Sequence, residues 1–160
     1  MTLQLTAEKV WTELEKEIFA VLGMVNSKGE ARTIGIVYIV HDHKIYLSTE
    51  KDAWKTRHVQ SNPHVSITVP IAKRIPILPW IKIPAATITF SGMAKVLDAR
   101  NVQSDILHAL FQGLESNQEM LATTAVLVIE PQGEFVTYGI GIPLMQMRER
   151  EKARGRAPVA

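Results

Sequence analysis

Ser48 and Thr49 close an expected strand that starts at Lys44, and Lys55 and Arg57 follow in the opening turns of a short helix. The sequence starts that helix near Asp52 and stops it at Asn62-Pro63, because the residue before a proline is pushed out of the helical region. The N-terminus of a helix carries unpaired N–H groups and partial positive charge, so hydroxyls and cations gathered there suit a phosphate. The plainer reading of the same residues is a solvated, charged helix start in which Lys55 and Arg57 pair with Glu50 or Asp52.

Other residue types able to do chemistry are few. His41 and His43 sit two apart around Asp42, a spacing that suits a metal on a strand but more often marks a polar hairpin tip. His58 and His64 flank the short helix, where either can cap it or touch a ligand. Trp54 and Trp80 can stack on a ring, although packing is the default for tryptophan. The chain has no cysteine, which excludes disulfides, thiolate catalysis and cysteine-bound zinc, and fits a reducing cytoplasm. No nucleophile–base pair, paired carboxylates or P-loop is present. Any enzymatic chemistry would come from a cofactor, with the protein supplying binding and orientation.

The elements that must position these residues are mostly strands. At 160 residues the chain is one domain by size, long enough to bury a core unaided. Thr6 caps a first helix with Val10, Trp11, Leu14 and Ile18 on its apolar face. Strands are expected at Ala20–Asn26, Ala31–Val40, Lys44–Thr49, Val65–Val69 and Thr87–Leu97, with Gly92 at a bulge or close backbone approach. Asp98 is placed to cap a helix carrying Val102, Ile106 and Leu110. Ser116-Asn117-Gln118-Glu119 reads as a capping box. Thr124–Glu130 and Glu134–Tyr138 read as a last hairpin around Pro131-Gln132-Gly133, with Gly139 and Gly141 at the strand exit. Short loops between neighbours make the strands antiparallel, and six or seven of them with a few helices imply a small closed or partly closed barrel.

The N-terminal residues show no signal peptide pattern. The most apolar stretch, Ile75 to Ala86, is broken by Pro76, Pro79 and Pro84 and is too short for a membrane span. The net charge of +2 is uneven. Beyond Ile142, Arg148, Arg150, Lys152, Arg154 and Arg156 face only Glu149 and Glu151, so residues 142–160 form a basic tail, read as a solvated helix, on a nearly neutral domain at 1–141. A near-neutral body argues against a broad nucleic-acid surface.

Taken in order, Trp11…Leu14, Ala20-Val21-Leu22-Gly23, Gly29-Glu30-Ala31-Arg32-Thr33, Ile45-Tyr46-Leu47-Ser48-Thr49, Lys55-Thr56-Arg57 and Asn62-Pro63-His64-Val65-Ser66 resemble the pyridoxamine 5′-phosphate oxidase-like, FMN-binding split-barrel family. The resemblance is strong over residues 8–98 and weaker over 124–140. It implies a mainly β fold, an antiparallel split β-barrel with flanking helices, and an FMN held at a homodimer interface. It further implies two-electron redox chemistry on a small-molecule substrate. By motif position Arg32 and Thr33 would face the ribityl-phosphate region, Ser48 and Thr49 the flavin or phosphate, and Lys55 the phosphate, with Arg57 in support. Arg32 and Thr33 are adjacent on a strand, so their side chains are expected on opposite faces. The vitamin oxidase's C-terminal Arg-x-His pattern is missing, the tail reading Met147-Arg148-Glu149-Arg150, which puts a B6 vitamer substrate in doubt. Two alternatives share the fold. One is a deazaflavin-dependent reductase whose cofactor tail meets Lys73, Arg74 and Lys82. The other is a non-catalytic flavin- or haem-binding protein, with His58 or His64 as axial ligand.

Overall fold

The computed structural model describes residues 3–114 and 116–160. Among these residues nine strands form a single sheet that curls into a barrel. After β1 (Leu3–Gln4) comes α1 (Ala7–Leu14), whose N-terminus is capped by Thr6 accepting a hydrogen bond from the Lys9 N–H. Val10, Trp11 and Leu14 are buried, as expected, but Ile18 lies beyond the helix and is 67% exposed. β2 (Phe19–Val25) and β3 (Ala31–Val37) pair as an antiparallel hairpin. Tyr38 separates β3 from β4 (Ile39–His41), which pairs with β5 (Lys44–Glu50) across the tip at Asp42 and His43. The expected strand Ala31–Val40 is therefore two strands with different partners.

α2 (Trp54–Ser61) leads into β6 (His64–Ile71), which pairs with both β2 and β7 (Ala86–Asp98). At Gly92 a Cβ would come within 2.8 Å of the Glu130 carbonyl oxygen, so the glycine marks a close backbone approach. Asp98 caps a short 3-10 turn, Ala99–Asn101, and not the following helix α3 (Ser104–Phe111), which starts after Gln103. α4 (Gln118–Thr123) is capped by Asn117, whose side chain accepts from the Met120 N–H, in place of the expected Ser116.

The expected last hairpin is a single strand, β8 (Thr124–Tyr138). It pairs with β7 along its length: where a turn was expected, Pro131 and Gln132 stay paired with Gly92 and Ser91, and the register shifts just after them, before Val136. Residues 125–129 of β8 also pair with β5, so this segment has strands on both edges. Its alternate residues fill two cores. Leu127 and Ile129 join the barrel interior with Val10, Leu22, Ile67 and Phe135, while Val126 and Val128 pack under Ile106, Leu107 and Leu121. That double burial explains the unbroken Ala-Val-Leu-Val-Ile run. Because only Tyr38 divides β3 from β4, the ring β2–β3/β4–β5–β8–β7–β6–β2 closes.

The tail is not a solvated helix. After α5 (Arg150–Ala153), residues Arg154–Pro158 form β9, antiparallel to β8 and parallel to β1. That last pairing makes the sheet mixed.

Candidate functional site

The phosphate-suited residues lie where β5 passes into α2. Two hydrogen bonds shape the passage, as the Ala53 N–H and the Thr56 hydroxyl both reach the Glu50 carbonyl, at 3.2 and 2.8 Å. Thr56 is fully buried, and its Oγ1 lies 3.5 Å from that of Thr49, which is also buried. Ser48, one residue earlier, is exposed. The α2 cap, Ala53, offers no side chain to the amides of the first turn. Among the described residues Lys55 and Arg57 form no ion pair, so the expected pairing with Glu50 or Asp52 is not made. Lys51 differs from them. Its ammonium donates to Asp98 at 2.5 Å and to the Ala122 carbonyl at 2.7 Å, tying the turn to β7 and α4.

Asp98 is the most strongly perturbed carboxylate of this end. Arg100 donates to it through Nε, Nη2 and its backbone N–H, at 2.9, 2.7 and 3.0 Å. Those bonds first, and Lys51 second, hold the carboxyl well below the usual range.

Arg32 and Thr33 are elsewhere. They line a groove of about 420 Å³ on the outside of the sheet, while Ser48, Thr49, Lys55 and Arg57 do not. Thr33, Gly23, Ser66, Ser91 and Gln132 are in register across β3, β2, β6, β7 and β8, forming one polar row along the groove floor. Although adjacent on β3, Arg32 and Thr33 both reach this groove, at the turn end of the β2–β3 hairpin. Arg32 contacts the Glu30 carboxylate at 3.3 Å, with both side chains exposed. Ser66, Ser91 and Gln132 were missed from the sequence. Their signal was the alternation of hydroxyls with apolar residues in Ser66-Ile67-Thr68 and Thr87-Ile88-Thr89-Phe90-Ser91.

The histidines separate. His43 stacks on Trp11 at 4.8 Å, whereas His41 lies 3.4 Å from Asp42 and 3.6 Å from Asp105. His58 packs edge-on against Trp54, and His64 lines the groove.

The family model for pyridoxamine 5′-phosphate oxidase matches residues 6–137, which takes in the groove, the junction, β2 to β7 whole and all of β8 but its last residue. The chain belongs to the pyridoxamine 5′-phosphate oxidase family. Solved structures with the same split-barrel fold include a FAD-binding protein from Mesorhizobium loti, at 15% identity and TM-score 0.59, covering 79% of this chain and 88% of that one. The haem storage protein HutZ from Vibrio cholerae is 16% identical with TM-score 0.62, covering 86% and 98%. An F420 reductase is 15% identical with TM-score 0.54, covering 78% and 93%. No curated protein sequence matches the chain significantly. Within the pyridoxamine 5′-phosphate oxidase family these likenesses establish the barrel, and the residues of the junction and groove must carry any argument about chemistry.

Proposed function

We propose that this family member binds FMN and acts as a homodimeric oxidoreductase on a small molecule. The observation that carries the reading is the pair Lys55 and Arg57, two cations at the start of α2 that form no ion pair among the described residues, with Ser48 exposed near the end of β5. A dianionic phosphate suits such a place, drawing charge-assisted hydrogen bonds from the cations and the free amides of the helix. Thr49 and Thr56 act as positioning residues, since their hydroxyls shape the turn from within. Arg32, Thr33 and the polar row offer a second set of donors, set apart from the junction within one chain. A second copy of the chain would bring the two sets together around one cofactor. FMN, when bound, supplies reversible two-electron chemistry, and the barrel supplies binding, orientation and shielding from water.

The deazaflavin reading loses its cations. Lys73, Arg74 and Lys82 lie beyond the pair Ile71–Ala86, at the other end of β6 and β7 from the pair His64–Met93 beside α2. Haem is the second reading, favoured by His64 at the groove and by the fold shared with a haem storage protein.

Titration of the apo-protein should quench FMN fluorescence, with riboflavin binding far more weakly. Lys55→Ala should lower FMN affinity about 10- to 150-fold, the equivalent of one charge-assisted hydrogen bond. Lys95→Ala, an exposed charge on β7, should cost little. Lys51 cannot serve as that control because it holds the turn in place. Equal binding of FMN and riboflavin, or an unchanged Lys55→Ala protein, refutes the phosphate assignment. A Soret band in the purified protein would replace FMN by haem.

A further inference from the structure

Between Asp52 and Asp98 the sequence contains no acidic residue. At the centre of this stretch is the connection 72–85 between β6 and β7, which holds Lys73, Arg74 and Lys82. All its other residues are alanine, isoleucine, leucine, proline or tryptophan. It contains no hydroxyl, amide or carboxylate side chain.

The connection is folded into consecutive turns. The Leu78 N–H donates to the Ile75 carbonyl at 3.2 Å, and the Ile81 N–H to the Leu78 carbonyl at 3.1 Å. Steps of three residues place Ile75, Leu78 and Ile81 on one side, where they are partly buried, and Ile83 packs against the barrel core. The same spacing turns Ile77 and Trp80 outward, 84% and 72% exposed, with Pro76 and Pro79 exposed beside them. Anchoring one row thus obliges the other to face water, and large apolar side chains fixed in water mark a contact surface.

We propose that loop 72–85 docks the protein on an anionic membrane surface. Trp80 and Ile77 enter the interfacial layer, while Lys73, Arg74 and Lys82 meet lipid phosphates. Tryptophan beside lysine and arginine is the composition that settles at the headgroup level. A protein partner would be met by a polar rim of donors and acceptors, and this loop has no hydroxyl, amide or carboxylate side chain to build one. A second copy seated loop to loop would bring six cations together with no carboxylate from either loop, which is repulsive. A lipid surface needs only apolar insertion and diffuse positive charge, and the loop has both. The docked face lies at the opposite end of β6 and β7 from the β5–α2 junction, so the two sites do not compete.

The full chain should float with extruded vesicles containing about 25% phosphatidylglycerol in phosphatidylcholine, bind pure phosphatidylcholine less, and release as salt rises. Brominated acyl chains should quench its tryptophan fluorescence, and Trp80→Ser should remove that quenching because Trp11 is buried and Trp54 lies on α2, at the other end of β6 and β7 from the loop. Ile77→Ser with Trp80→Ser should abolish flotation while leaving the thermal melt unchanged. Replacing Lys73, Arg74 and Lys82 by glutamine should weaken binding about fivefold per cation. Three results each overturn the proposal: a parent that stays unbound, an Ile77→Ser/Trp80→Ser protein that binds like the parent, and a parent dimer that this double change dissociates.

Discussion

Replacing Thr56 by valine tests how the β5–α2 turn is held. The side chain keeps its shape and stays buried, so the change isolates one hydroxyl. A hydroxyl has one proton to donate, and that of Thr56 goes to the Glu50 carbonyl at 2.8 Å. Thr49 must then supply the proton for the longer 3.5 Å contact between the two hydroxyls. Losing the short bond costs about 1 kcal/mol, because the Ala53 N–H still satisfies the carbonyl. Orphaning the buried Thr49 hydroxyl adds up to about 1 kcal/mol more, which together lowers Tm by roughly 2–8 °C. Thr49→Val alone should cost well under 1 kcal/mol, since Thr56 keeps its better acceptor. Thr49→Val/Thr56→Val should be more stable than Thr56→Val, because the orphan is gone. Urea melts of the four proteins give the double-mutant cycle, and FMN titration of each reports whether the turn still presents Lys55. Strict additivity, or a double variant less stable than Thr56→Val, refutes the proton assignment and the coupling it implies.

Two further outcomes concern titration. Because its bonds to Arg100 and Lys51 depress Asp98, its stabilising effect is present above the unfolded carboxylate pKa near 4 and is lost as pH falls through the lower folded value. Asp98→Asn should therefore be less stable than the parent at neutral pH, with the gap closing in acid; a gap that persists in acid counts against the assignment. Tyr38 is buried and donates to the Leu14 carbonyl at 2.8 Å, and burial pushes its phenol well above the usual tyrosine range. Its contribution holds below the unfolded pKa near 10 and fades above it, so absorbance titration should show it ionising only as the protein unfolds, and Tyr38→Phe should flatten that alkaline loss.

Much of the barrel was legible because strand alternation and turn residues are local signals. Asn26–Gly29 and His41–His43 marked their hairpins, and the outward polar, inward apolar rhythm of His64–Ile71 marked a surface strand. Where partners decide, local reading failed. Pro131-Gln132-Gly133 has turn chemistry, yet β7 runs on beside it and carries β8 straight through a register shift. The alternating charges of the tail suit a helix, but the open edge of β8 claims Arg154–Pro158 as a strand. The phosphate-suited junction was readable from Ser48 to Arg57. The polar row was not, since its five residues come from five strands and meet only through register.

β8 also sets when the ring can close. β5 finds most of its pairing in residues 124–129, about 80 residues further along the chain, so closure waits on a contact of high sequence separation. On a ribosome extending the chain at about 5–20 residues per second, that interval is roughly 4–16 s. During it the edge of β5 that β8 will cover is bare, and the inner faces of β2, β3, β6 and β7 are without the strand that seals them. The nascent protein is most exposed to chaperones, and to other nascent copies, until its Ala-Val-Leu-Val-Ile run leaves the exit tunnel.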